Sequence, residues 1–171
     1  MRSAKFLWWK FFLIYGFYVL SHEMDRFFPG TIVAVVLGEG IQSIYAHMKM
    51  LFVAYLAMSI IDYFRYRKTS QPVNFFHARM LILAAVPWMM IVVYYAVEAV
   101  GITLPHIYDL TWALIMTGVG IYASMRLEEP LENTPMRQSL KNVILIFFLA
   151  ALVTYVGFSF HVPDNLFIAL D

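Results

Sequence analysis

"HMKMLFVAYLAMSIIDYFR", His47 to Arg65, decides the fold of this chain. As a helix, the eighteen steps between its ends rise about 27 Å at roughly 1.5 Å per residue, close to a bilayer hydrocarbon core of about 30 Å. Almost everything between is apolar. The run therefore predicts a membrane-spanning helix, with His47 and Lys49 at one boundary and the basic residues from Arg65 at the other.

Composition extends that reading to the whole chain. Its 171 residues are 62% hydrophobic, 18% aromatic and only 13% charged. The mean hydropathy of +0.72 lies outside the range of soluble globular domains. A formal net charge of +1 leaves no basic face to neutralise several phosphates, so nucleic acid is excluded as a partner. Cysteine is absent, which excludes disulfides, thiolate metal sites and a cysteine nucleophile.

By length and polarity the chain divides into five spans, about 5–21, 47–64, 77–100, 106–125 and 141–160. The expected fold class is all-α, a polytopic membrane helical bundle forming a single integral domain over residues 1–171. The N-terminal run has the basic start of a signal peptide, but its bulky aromatics and lack of a small-residue cleavage pattern predict a retained first helix. The stretch 27–46 contains an apolar piece, Thr31 to Leu37, too short to cross. Pro29, Gly30, Gly38 and Gly40 surround it, so it predicts a re-entrant or interfacial segment packed on the bundle.

Orientation follows from the cations of the short loops. Arg2, Lys5, Lys10, Arg65, Arg67, Lys68, Arg79, Arg126, Arg137 and Lys141 fall on one side, and only Arg26 and Lys49 on the other. The positive-inside rule then places the N-terminus in the cytoplasm and the C-terminus outside, in the plasma membrane. The cytoplasmic loop "RLEEPLENTPMRQSLK" reads as solvated, and Asp62, His77 and its carboxylates read as plain topology signals.

Four of the five histidines fall on the outer side together with most of the remaining acids. Headgroup anchoring needs no imidazole, so this enrichment points to an extracytoplasmic polar site. Its expected ligand-binding residues are Glu39, His47 and Lys49, with His22, Glu98, His106, Asp109 and His161 around them. Glu39, Ser43 and His47 would share one face if the helix extended back that far, whereas Lys49 points roughly 200° away from His47 at about 100° per residue. His106 and Asp109, three apart, share a face, and an Asp beside a His can fix its tautomer. No HExxH, His-x-His or i, i+4 His pair occurs, so no metal is assigned; His22, His47 and His106 are the ligands one would have. No cofactor and no catalytic group are specified. Pro87 predicts a kink in the third span, and "TGVG", Thr117 to Gly120, a close helix contact in the fourth.

The run "IQSIYAHMKMLF" resembles the signature of a domain-of-unknown-function family of small bacterial and archaeal membrane proteins. In that family Asn-Glu-Ser-x-Trp-Glu-His-x-Lys opens a transmembrane helix. Ser43, His47 and Lys49 match, Tyr45 stands for the aromatic, and Gln42 and Ala46 replace the two acids. The ending "FSFHVPDNLF" is similar too, and His22 and Asp109 fall where that family has a His and an Asp. The resemblance implies a small polytopic bundle and brings no activity with it.

The expected function is therefore binding or transport of a small molecule or ion at the outer polar site. Two other classes fit the same sequence: a non-catalytic accessory subunit of a larger membrane complex, and an intramembrane lipid-modifying enzyme using the His and acids as acid and base. The expected partners are membrane lipids, with a second copy of the chain or a larger complex as the protein partners this layout admits.

Overall fold

The computed structural model describes residues 7–38, 43–67, 72–101 and 106–161. Among them it is all-helical, with seven helices in chain order. These are α1 (Trp8–His22), α2 (Met24–Phe27), α3 (Ile32–Leu37), α4 (Ile44–Tyr66), α5 (Phe75–Ala99), α6 (His106–Asn133) and α7 (Gln138–Phe160). The long helices alternate in direction. Helix α1 packs against α4, α4 against α5, and α5 against both α6 and α7, while α6 closes back onto α1 and α4.

Three helices, within Ile44–Tyr66, Phe75–Val97 and Gln138–Phe160, are long and apolar enough to cross a membrane, fewer than the five spans expected. The described part of α1 has 15 residues. Helix α6 has 28, but its far end carries Arg126, Glu128, Glu129 and Glu132.

The side-chain pattern is inverted relative to a protein folded in water. On α7, Val143, Ile146, Leu149, Val153, Val156 and Phe160 recur at three- and four-residue steps and are all exposed. The opposite face buries Ile144, Ala151, Tyr155 and Ser159. Phe52 of α4 meets Tyr155 at 4.6 Å between ring centroids, and Trp88 of α5 stacks on it from the other side at 6.3 Å. Charged groups, by contrast, are found deep inside.

The connection from α1 to α4 is built from two short helices. Gly30 takes a positive φ of 68°, which an L side chain rarely adopts, and so turns the chain between α2 and α3. Thr31 caps α3, its hydroxyl accepting from the Ala34 amide at 3.3 Å and donating to the Phe28 carbonyl at 2.8 Å. Within the stretch expected to be re-entrant or interfacial, α3 is a six-residue helix lying against α4 and α7. Ser43 is extended and caps α4 through the Ala46 amide at 3.1 Å. The helix therefore begins at Ile44, with Ser43 as its cap rather than part of a helical face, and Glu39 lies outside the described residues.

Helix α5 runs through Pro87 without a break. Gly120 is a point of close approach: a Cβ there would sit 3.0 Å from Leu51 of α4 and from Met90 of α5. The small residues of the fourth long helix do mark a tight contact, as their sequence suggests.

Candidate functional site

The outer groups divide between two faces of α4. His47 faces α1, where its ring lies 5.9 Å from that of His22. Its Nδ1 lies 2.9 Å from the Ser43 carbonyl. A carbonyl can only accept, so Nδ1 carries a proton in this contact. His22 Nδ1 lies 3.9 Å from Glu23, which also pairs with Arg26 at 2.7 Å.

Lys49, two residues on, points away from that pair, as helix geometry requires. It is buried, and its ammonium donates to the Val35 carbonyl at 2.7 Å and to Ser159 Oγ at 3.1 Å. One lysine thereby ties α3, α4 and α7 together. His161 is exposed at the end of α7. Glu39 and the side chains of Glu98, His106 and Asp109 lie outside the described residues. Of the eight expected site residues, then, the structure brings His22 to His47, sets Lys49 on another face and leaves His161 outward. Among the described residues no three His, Asp or Glu side chains are grouped to hold a metal ion.

A second polar cluster lies at the other end of the same helices. Arg79, one turn into α5, is 3% exposed and reaches three carboxylates. It pairs with Glu128, with Glu132 at 2.7 Å and with Asp62 at 3.3 Å. Lys10 of α1, also 3% exposed, pairs with Asp62 and lies 2.6 Å from Glu128. Tyr55 of α4 accepts from Arg79 at 2.6 Å and donates to Glu128 at 2.8 Å. Four helices thus supply one network.

Local structure explains the convergence. Glu128 and Glu132 are four apart on α6, hence on one face, and Pro130 between them lies within the helix rather than ending it. Asn74, just before α5, donates its amide to the Glu132 carbonyl at 3.2 Å and its side chain to the Thr134 carbonyl, fastening the start of α5 to the end of α6. Phe75 lies under the Arg79 guanidinium at 5.1 Å. The guanidinium is planar and offers five donors, which is why an arginine suits a site with several carboxylates.

Most of residues 126–141 is exposed, as a solvated stretch should be, but it is not a loop throughout, and Glu132 and Asp62 are buried in an ion-pair network rather than acting as plain topology signals. Helix α6 continues to Asn133, Glu132 and Asp62 are buried, and Glu129, on another face, is exposed. An acid inside an otherwise apolar span, and two more at helical spacing, were the signals available.

Charge arithmetic gives the cluster its chemistry. Among the described residues, with every group ionised, Lys10 and Arg79 contribute two positive charges and Asp62, Glu128 and Glu132 three negative ones, leaving one negative charge in excess. Taking unpaired charge out of water is costly, so such an excess favours uptake of a cation or a proton. No family model, characterised protein or solved structure matches this chain.

Proposed function

We propose that the chain is an integral membrane protein of five spans, N-terminus cytoplasmic and C-terminus outside, that binds and moves a small cation, a proton included. The observation that carries this reading is the cluster of five charged side chains, four of them buried, with a negative excess of one among the described residues. Ionisable groups inside membrane bundles mark ion and proton paths, because burying them is otherwise costly.

The exposed apolar stripe of α7 supports membrane integration, and the distribution of ten cations against two supports the orientation. In this arrangement α1, α4, α5, α6 and α7 are the spans. The apolar part of α6 ends near residue 125 and its acidic turns reach the cytoplasmic boundary. Helix α3 lies at the outer boundary. His22, His47, Lys49 and His161, with Glu39, Glu98, His106 and Asp109, belong to the outer mouth, and the Arg79 cluster to the inner one. The likeness of "SIYAHMK" to small bacterial and archaeal membrane proteins agrees with this placement.

The test is flux. Purified protein in vesicles, with a pH-sensitive dye inside and an imposed potassium potential, should pass cations faster than empty vesicles. Asp62→Asn should slow that flux at least tenfold. A rate equal to that of empty vesicles would reject the reading. An accessory subunit, which the bare apolar face of α7 would suit, would instead purify in fixed ratio with other chains. A lipid-modifying enzyme using His22 and His47 would alter added phospholipid in a way that His47→Ala abolishes.

A further inference from the structure

The cation of the inner cluster can be named from how unequally its three carboxylates are served. Asp62 takes Lys10 and the edge of Arg79. Glu128 uses both oxygens, one toward Lys10 and the other toward Arg79 and the Tyr55 hydroxyl. Among the described residues Glu132 has one cation, Arg79, within ion-pair distance, with Lys10 acting on it from farther off. Its Oε1 sits 2.7 Å from an Arg79 nitrogen, yet neither atom makes an aligned hydrogen bond among the described residues. Among the described residues Asp62 and Glu128 are each paired by both cations, whereas Glu132 is paired by Arg79 alone.

A metal ion does not suit the vacancy in charge. It would need several oxygens around it, and any point between these carboxylates is close to Lys10 Nζ and the guanidinium, which repel it. A proton avoids that repulsion by bonding to a carboxylate oxygen and removing the charge at its source. We infer that Glu132 is held protonated at neutral pH and is the group through which the cluster exchanges a proton with the cytoplasmic side. This deepens the cation reading above and rests on it.

Position agrees. Glu132 lies one turn nearer the end of α6 than Glu128, next to the Asn74 junction where α5 begins. The groups acting on it come from every neighbouring helix: Lys10 from α1, Tyr66 from α4, Arg79 from α5, and Glu128 from α6 itself. Burial and Glu128 favour the neutral acid, and Arg79 and Lys10 oppose it. Exchange at this group is a simple transfer: the proton leaves the carboxyl for water at the helix end, and the carboxylate retakes one.

Infrared difference spectroscopy of the purified chain tests this directly. A protonated-carboxyl C=O band should be present at neutral pH, disappear on raising the pH, and be missing from Glu132→Gln. It should survive in Glu129→Gln, which alters the exposed neighbour. A band absent from the unaltered protein, or one that persists in Glu132→Gln, would overturn the assignment. Glu132→Asp keeps the acid and should restore a titrating band, which separates loss of the proton site from loss of the fold. The vesicle measurement stands apart. Flux without the band sinks the Glu132 assignment and leaves the cation reading, whereas the band without flux does the reverse.

Discussion

Lys10 and Asp62, 52 positions apart in the chain, form a buried ion pair where the start of α1 meets the end of α4. Breaking such a pair from one side strands a charge, which costs about 3–5 kcal/mol. Asp62→Asn and Lys10→Met should each lower stability on that scale in detergent unfolding. The double variant should lose clearly less than the sum, because neither charge is then abandoned. Strict additivity would show that the two residues are not energetically coupled.

The pH dependence of stability should carry the mark of Glu132. Burial raises its carboxyl above the ordinary carboxylate range. Between the ordinary value and the raised one the folded chain holds a proton that the unfolded chain has released. The contribution is therefore complete at pH below the ordinary value and is lost as pH climbs through the raised one. Melting temperature should fall across that window in the unaltered protein, and Glu132→Gln should flatten this part of the curve. A variant with the same slope would assign the titration to another group.

Gly38 ends α3 in a crowded place. A Cβ there would lie 2.7 Å from the Ala34 carbonyl oxygen, 2.8 Å from Met24 Cβ and 3.0 Å from the Ser21 carbonyl oxygen. Two of those three are backbone and cannot move aside, so Gly38→Ala should cost about 1–3 kcal/mol. Gly120→Ala meets only the side chains of Leu51 and Met90 and should cost less. Melting curves of the two variants, compared side by side, decide the order.

Lys49 should act as a fastener rather than a free charge. Hydrogen bonds to a charged group contribute about 1.5–3 kcal/mol, so Lys49→Met should let α3 open about tenfold more often or beyond. The chain has no cysteine, which makes an introduced one a clean reporter. Ala34→Cys, at a buried position, should react slowly with a water-soluble maleimide and at least about tenfold faster when combined with Lys49→Met. Equal rates would mean that Lys49 does not hold α3.

The same absence of cysteine allows orientation to be tested in cells. Thr134→Cys should be protected from an impermeant reagent added outside, and His161→Cys should be labelled at once. The opposite pattern would invert the proposed topology.

Sequence conveyed the long helices well because hydrophobic runs of this length leave few alternatives. The second span was read at 47–64 and forms Ile44–Tyr66, and the third was read at 77–100 and forms Phe75–Ala99. The separation of His47 from Lys49 followed from their spacing alone. The inner cluster was missed for a physical reason. Lys10 and Glu128 are 118 positions apart, and nothing local to either residue announces the other. A cation near a helix end serves equally as an orientation signal and as half of an ion pair, and only packing tells the two apart. The shared face of Glu39, Ser43 and His47 was conditional on α4 reaching back to Glu39, and α4 instead starts at Ile44 behind the Ser43 cap.

The division of the cluster among its helices bears on how the chain is made. Helices α1 and α4 bring Lys10 and Asp62, and α5 and α6 bring Arg79 with Glu128 and Glu132. Within the cluster, the first pair of long helices to be synthesised thus contributes one charge of each sign before the second pair exists. The second pair does the same once one of its two acids is neutral. Each hairpin can enter the bilayer carrying its own counterion, and docking of the two hairpins then exchanges partners already in place.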